Sequence, residues 1–378
     1  MFISSMKKFR WQLLIIFLTG LVVGILLLSE QPEGEQFTEP EPVKGGNYTE
    51  ALVGSLQRLN PILDWYNPAD RDLDRLIFSR LFTFDERGNP MPDLVESIGI
   101  SQDGTVYNFS LRSGIKWHDG EELTAEDVVF TVGLLREGGD IVPEDLQAFW
   151  DQIEVISAED TMLQFRLPEP FAPFFDYLTF GILPSHLLQG LTIDQIKNHE
   201  FNLEPIGSGP YKFDRLVVEN DSISGIVLSA FGDYYNQQPF IEQLVFLYYP
   251  DSASALQAYK DGKVQGVSRI TNDVLSEALQ QPDLALYTGR KPELSLIMFN
   301  LKNNEKPYFQ DKNVRRALYM GINRQNLADK VLQGQAILAD GPIFPGTWAY
   351  YEGIVRVEYN SDQAIRLLIE AGYTLPAE

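Results

Sequence analysis

No cysteine occurs anywhere in the sequence. That one absence excludes disulfides, thiol nucleophiles, iron–sulfur clusters and zinc–thiolate centres together. Histidine is nearly as scarce. His118, His186 and His199 lie far apart, without His-x-x-x-His spacing, so no metal site is expected. Positive charge is short as well: 30 Lys and Arg stand against 53 Asp and Glu, a net charge of −23, and no long basic run interrupts the acidity. A nucleic-acid partner would need a basic face and is excluded. The acidic surface reads as a solubility device. Signatures of catalysis are missing too. There is no Gly-x-Ser-x-Gly elbow, and Gly207-Ser208-Gly209 lacks the Lys and helix start of a phosphate loop. With 53 acids present, a pair of carboxylates discriminates nothing. The expectation is a protein without enzymatic activity, cofactor or metal.

One stretch lacks charge altogether. After Lys7, Lys8 and Arg10, residues 11–28 are uncharged and largely apolar. About eighteen such residues reach the lower limit for a membrane-spanning helix and exceed a usual signal-peptide core. The flanking cations stay on the cytoplasmic side, which sends the remainder outside. Leu27 stands where a cleavage site near Ser29 would want a small residue, so a retained anchor is favoured over a cleaved signal. Residues 1–10 are then a cytoplasmic basic segment, 11–28 a transmembrane anchor or signal, and 29–45 a flexible linker with Pro32, Pro40 and Pro42 and no apolar periodicity. The folded part begins near Gly46. With 378 residues, 44% of them hydrophobic, two or three domains are expected.

Strand and helix patterns alternate beyond that point, and no internal repeat is visible. Residues 47–56 read as a strand. Leu73, Leu76, Ile77 and Leu81 give helical spacing over 70–82. Short strands are expected over 98–101 and 115–118. Tyr107, Phe109 and Leu111 alternate with polar residues over 105–112, after an Asp103-Gly104 turn. Thr124 and Asp127 form a capping-box pattern ahead of Val128, Val132 and Leu135, and Gly138-Gly139 ends that helix. Leu163, Phe165 and Leu167 alternate again, and residues 182–188 read as a proline-started helical turn. Residues 205–210 form a Gly-rich loop. Strands are expected from Tyr211, at 227–228 and at 244–248, and a helix over 252–260. A strand is expected over 294–301 and a helix over 313–323. In the last helix Ser361 is the N-cap and Ile365, Leu368 and Ile369 face the core. The fold class is mixed α/β (α+β).

Several segments together resemble one family, the periplasmic oligopeptide-, dipeptide- and nickel-binding proteins of ABC importers. The run from Pro92-Asp93-Leu94-Val95-Glu96-Ser97 through Lys116-Trp117-His118-Asp119-Gly120 to Val128 is its most recognisable stretch. Gly207-Ser208-Gly209-Pro210-Tyr211, the segment around Pro307-Tyr308-Phe309 and Val314-Arg315-Arg316-Ala317, and the tail from Ala364 to Tyr373 follow in the family's order. Asn323 stands where the family more often has Asp. The lipid-attachment cysteine of many exported binding proteins is absent.

The resemblance implies a two-lobed periplasmic-binding-protein-like fold of type II that captures solute by hinge closure. Residues 46–82 and 190–286 would form the core of lobe 1, and 83–189 a subdomain inserted in it. Residues 287–378 would begin lobe 2, with the hinge near 287–295. Family members run further, so the second lobe is expected to be incomplete and the sequence truncated at its C-terminal end. By position in the family pattern, Asn60, Trp65, Tyr66, Gly207, Ser208 and Gly209 from lobe 1, and Asn300 from lobe 2, are the expected ligand contacts. Peptides are the favoured ligand, permease subunits the membrane partner and a monomer the expected state. A membrane-anchored ligand sensor or chaperone on the same fold is the alternative, and nickel-chelate or sugar binding a third. Trp117, Asp119, Gly120 and Arg315 read as structural.

Overall fold

The computed structural model describes residues 14–24, 42–289, 293–345 and 350–374. The protein divides into two units, residues 1–44 and 45–378. In the first, residues 14–24 are helical. Among the described residues no helix is long and apolar enough to cross a membrane. The rest of the expected anchor and nearly all of the expected linker lie outside the described residues.

Two sheets organise the second unit. The first has strand order β11-β1-β10-β9-β8, built from β1 (Asn47–Val53), β8 (Tyr211–Glu219), β9 (Ser222–Ala230), β10 (Gln243–Tyr249) and β11 (Gly266–Val267). β1 runs parallel to both β10 and β11, while β9 is antiparallel to β10 and β8. Ala51 and Leu52 point to opposite faces of β1 and both are buried, as a strand covered on two sides requires. α1 (Pro68–Ile77) packs on this sheet next to β8. It starts after Asn67, whose carboxamide oxygen accepts from the Ala69 N–H at 3.2 Å, and Leu73 and Ile77 are its fully buried stripe. α6 (Ser252–Lys260), capped by Asp251, packs against β1, β10 and β11.

The second sheet lies entirely within residues 95–166. Its order is β4 (Val95–Ile100), β5 (Val106–Leu111), β7 (Met162–Arg166), β6 (Glu154–Glu159). The period-two pattern puts Tyr107, Phe109, Leu111, Leu163 and Phe165 inside. There they meet a cluster of rings, with Phe109–Phe165 at 5.6 Å and Phe165–Phe174 at 5.5 Å between centroids. Trp150, at the end of α3 (Glu144–Trp150), stands over Phe165. α2 (Ala125–Glu137) covers β6 and α3. β2 (Phe82–Phe84) and β3 (Pro90–Pro92) form a separate small hairpin.

Three expectations are corrected. Residues 115–118 form no strand, only a bridge between Lys116 and Glu122. Residues 294–301 are irregular, with Leu296, Ile297 and Met298 exposed. A strand exists only through its neighbour, and no strand among the described residues pairs with this apolar run. In α9 (Ser361–Glu370) the N-cap is Asn360, whose side chain accepts from the Gln363 N–H at 2.9 Å. Its buried residue is Ala364, which packs against Ala317 and Met320 of α8 (Lys312–Gly321), while Ile365 and Ile369 lie at the surface.

Candidate ligand-binding face

Because β1, β10 and β11 are parallel, their carboxyl ends share one edge of the first sheet. Open α/β sheets bind ligands outside that edge. The loop leaving β1 there, residues 54–67, carries Trp65 and Tyr66. Tyr66 is 77% exposed and Trp65 is half-buried.

The loop is tightly pinned from behind. The Gln57 and Arg58 N–H groups donate to the Asp70 carboxylate at 3.1 and 2.8 Å. The Asn67 amide donates to the Ser55 carbonyl at 2.9 Å, and the Arg71 guanidinium to the Trp65 carbonyl at 3.3 Å. The result is an exposed Tyr66 ring next to a Trp65 packed against the core, on a backbone that other residues keep in place.

The other expected contacts lie elsewhere. Asn60 is fully buried; its amide donates to Asn202 at 3.1 Å and its carbonyl oxygen accepts from the Ile62 N–H. Gly207, Ser208 and Gly209 are buried at the far end of α1, where β8 begins, with the whole 10-residue helix separating them from Trp65 and Tyr66. Ten helical residues span about 15 Å. The Gly209 N–H donates to the Ile77 carbonyl at 2.8 Å, and the Ser79 hydroxyl to the Ser208 carbonyl at 2.8 Å. A Cβ on Gly207 would meet the Ile77 carbonyl oxygen at 1.9 Å, so glycine is needed here for close packing of two backbones. Asn300 is exposed, and its side chain accepts from the Lys302 N–H at 3.0 Å in a local turn.

Sequence reasoning missed two features. One is His118. Its Nδ1 accepts from the Gly207 N–H at 3.1 Å and its Nε2 donates to the Gly209 carbonyl at 3.0 Å, while its own N–H donates to the Gly207 carbonyl. Those partners require the neutral Nε2–H tautomer, and burial lowers its pKa to about 4. The other is a carboxylate cluster of Asp64, Asp70 and Asp74 under the Trp65–Tyr66 loop, all three buried. Its signal was present: Asp70, Asp74 and Ile77 share one face of the predicted helix. Burial pushes Asp74 well up from its ordinary value, with the carboxylates of Asp64 and Asp70 adding to it, and burial pushes Asp64 up to about 7. The Asn60 N–H gives Asp74 little relief, because its hydrogen bond goes to the Arg58 carbonyl at 3.0 Å. Among the described residues no group of His, Cys, Asp or Glu could hold a metal ion.

The sequence profile of the bacterial extracellular solute-binding proteins, family 5, matches residues 89–378. The chain belongs to this family. Among family 5 relatives, the oligopeptide-binding protein AppA of Bacillus subtilis is 30% identical over 338 residues, covering 88% of this chain and 60% of AppA. The dipeptide-binding protein of Escherichia coli is 29% identical over 300 residues, covering 75% of this chain and 55% of the relative. The chain thus spans little more than half the length of these proteins. Family 5 structures superpose on it as well. AppA of B. subtilis in complex with a nonapeptide gives a TM-score of 0.66 at 29% identity, covering 89% of this chain and 66% of AppA. NikZ of Campylobacter jejuni in complex with Ni(L-His) gives 0.68 at 26% identity, covering 87% and 63%. The mixed α/β fold is therefore that of the family 5 solute-binding proteins.

Proposed function

We propose that the chain is the solute-capturing portion of an extracytoplasmic binding protein that receives peptides and passes them to the permease of an ABC importer. In this reading residues 46–82 and 190–286 form one lobe, 83–189 its inserted subdomain, and 287–378 the start of the second lobe. Residues 11–28 tether it to the outer face of the membrane. Trp65 and Tyr66 contact the ligand from the first lobe and Asn300 from the second, while the buried Asn60 supports their loop from within through Asn202.

The observation that carries this reading is the pinned loop at the carboxyl edge of β1, β10 and β11, with an exposed Tyr66 beside Trp65. Aromatic walls bury large area at low entropy cost and accept varied side chains, while extended backbone pairs in a strand-like way. Closure of two lobes needs no chemistry beyond contacts that exist only when ligand bridges them. The names of the B. subtilis and E. coli relatives favour a peptide over other solutes.

Native mass spectrometry of the unheated 378-residue protein tests it. A ligand at 100 times its Kd adds about 2.7 kcal/mol of stability and survives gentle handling. Mass additions that fragment as short peptides are the expected result. One discrete non-peptide mass would replace the peptide with another solute. A bare protein with no thermal shift in peptide, sugar or metal-chelate mixtures would overturn capture in favour of a partner-binding sensor.

A further inference from the structure

Three buried carboxylates lie beneath the Trp65–Tyr66 loop with too few hydrogen-bond partners. Asp64 comes from the loop, Asp70 and Asp74 from one face of α1. Asp70 is satisfied by the two loop N–H groups it holds. Asp74 is fully buried, and neither of its oxygens has a hydrogen-bond partner. The Arg71 and Arg80 Nε atoms, the Tyr248 hydroxyl and the Trp65 indole N–H are buried and unpartnered too.

The groups facing Asp74 are Asp64 from the loop, Asp70 from its own helix, Arg80 from the segment after it, and Tyr248 from β10. Asp64 additionally faces Arg71 and Arg75, and Arg75 is largely exposed beside Asp72. Buried donors and acceptors left without direct partners are joined by ordered water, and neighbouring buried carboxylates do not all ionise.

We propose that Asp74 keeps a proton at neutral pH, linked to Asp64 and Tyr248 through buried water, and that loss of this proton in alkaline medium drives Asp64 and its loop off α1. The repelling pair spans the two parts it would separate. Asp64 directly precedes Trp65 in the loop, and Asp74 sits in the middle of the helix the loop is pinned to. Asp64 and Asp74 are thus positioning residues for the aromatic wall. The consequence for capture rests on the function proposed above; the conformational step does not.

The test is hydrogen–deuterium exchange of the full protein without ligand, at about pH 6 and about pH 9, corrected for intrinsic exchange. Residues 55–66 are expected to lose protection by about tenfold or more at the higher pH while β9 stays protected. Asp74→Asn, neutral at every pH, is expected to keep the loop protected under both conditions. Loop protection unchanged with pH in the natural protein, or an equal loss in Asp74→Asn, would overturn the proposal. If Asp74→Asn does not fold, Asp64→Asn removes the other member of the repelling pair and must give the same result. A tripeptide mixture that fails to bind at either pH would sink the functional reading and leave the exchange result standing.

Discussion

His118 is held at three points by one short loop, and its charge state follows from that. Both ring nitrogens meet backbone groups of fixed polarity, an N–H on Nδ1 and a carbonyl on Nε2, so a second proton would break the Gly207 bond. With its pKa lowered to about 4 in the folded state against an ordinary value of about 6.5, the unfolded state takes up the proton first. Stability from this residue is therefore fully present above about pH 6.5 and is lost as pH falls toward 4, by about 3 kcal/mol in all. Asp64 works the other way. Its raised pKa means that the folded state holds the proton longer, so its contribution declines as pH rises from about 4 to about 7. The two slopes overlap and partly cancel in the natural protein. The difference in melting midpoint between the natural protein and His118→Ala should therefore shrink as pH falls from about 6.5 toward 4. A difference that stays constant across this window would refute the assignment. Local sequence cannot reveal such a role, because the partners of His118 lie 89 and 91 positions away.

Elements were legible where the deciding contacts are local. The 3.6-residue spacing at Leu73 and Ile77, the period-two alternation of β5 and β7, and the stop at Gly138-Gly139, both at positive φ, all depend on near neighbours in sequence. The same holds for the capping box, where the Asp127 carboxylate accepts from the Thr124 N–H at 2.8 Å. What the local pattern hid is the second job of Asp127. Its other oxygen accepts from the Ser185 N–H at 2.8 Å and hydroxyl at 2.7 Å, starting the turn over Ser185–Leu188 from 58 residues away. For the same reason residues 294–301 misled: apolar content marks a strand only when a partner exists to pair with. Among the expected contacts, Tyr66 lies exposed after β1, whereas Asn60 turns inward to Asn202, a partner 142 positions away that local sequence does not reveal. Asp127 yields a graded prediction. Asp127→Ala leaves two part-buried N–H groups and the Ser185 hydroxyl without their acceptor and should cost about 3 kcal/mol. Asp251→Ala removes one exposed cap from α6, the bond to the Ser254 N–H at 2.7 Å, and should cost about 1 kcal/mol. Urea midpoints of the two variants compare them directly; equal losses would mean that the Ser185 bonds contribute nothing.

At the scale of the whole molecule, the first sheet separates a buried core side from an exposed loop at its carboxyl edge. Its core side holds Leu52, Leu73, Ile77, Ile226 and Leu228 in one continuous cluster, while the carboxyl edge ends in a loop whose backbone is fixed by Asp70, Asn67 and Arg71. Tyr66 sits on that loop and contributes little to it, being 77% exposed. Removing its ring should therefore leave the unfolding midpoint within about 0.5 kcal/mol of the natural protein. Loss of an aromatic pocket wall, by contrast, removes apolar contact that forms only with ligand. A penalty of about 1.4 kcal/mol corresponds to a tenfold weaker Kd. Isothermal titration of Tyr66→Ala with a peptide retained by the natural protein should then show about tenfold weaker binding at unchanged melting temperature. Asp70→Ala should do the reverse in part. It frees the Gln57 and Arg58 N–H groups, so it lowers the melting temperature and weakens binding together, because the wall can no longer be held where the ring is useful. If Tyr66→Ala binds the peptide as well as the natural protein does, the carboxyl edge is not the capture face. The aromatic pair would then be a surface feature of a family 5 fold whose ligand is gripped elsewhere.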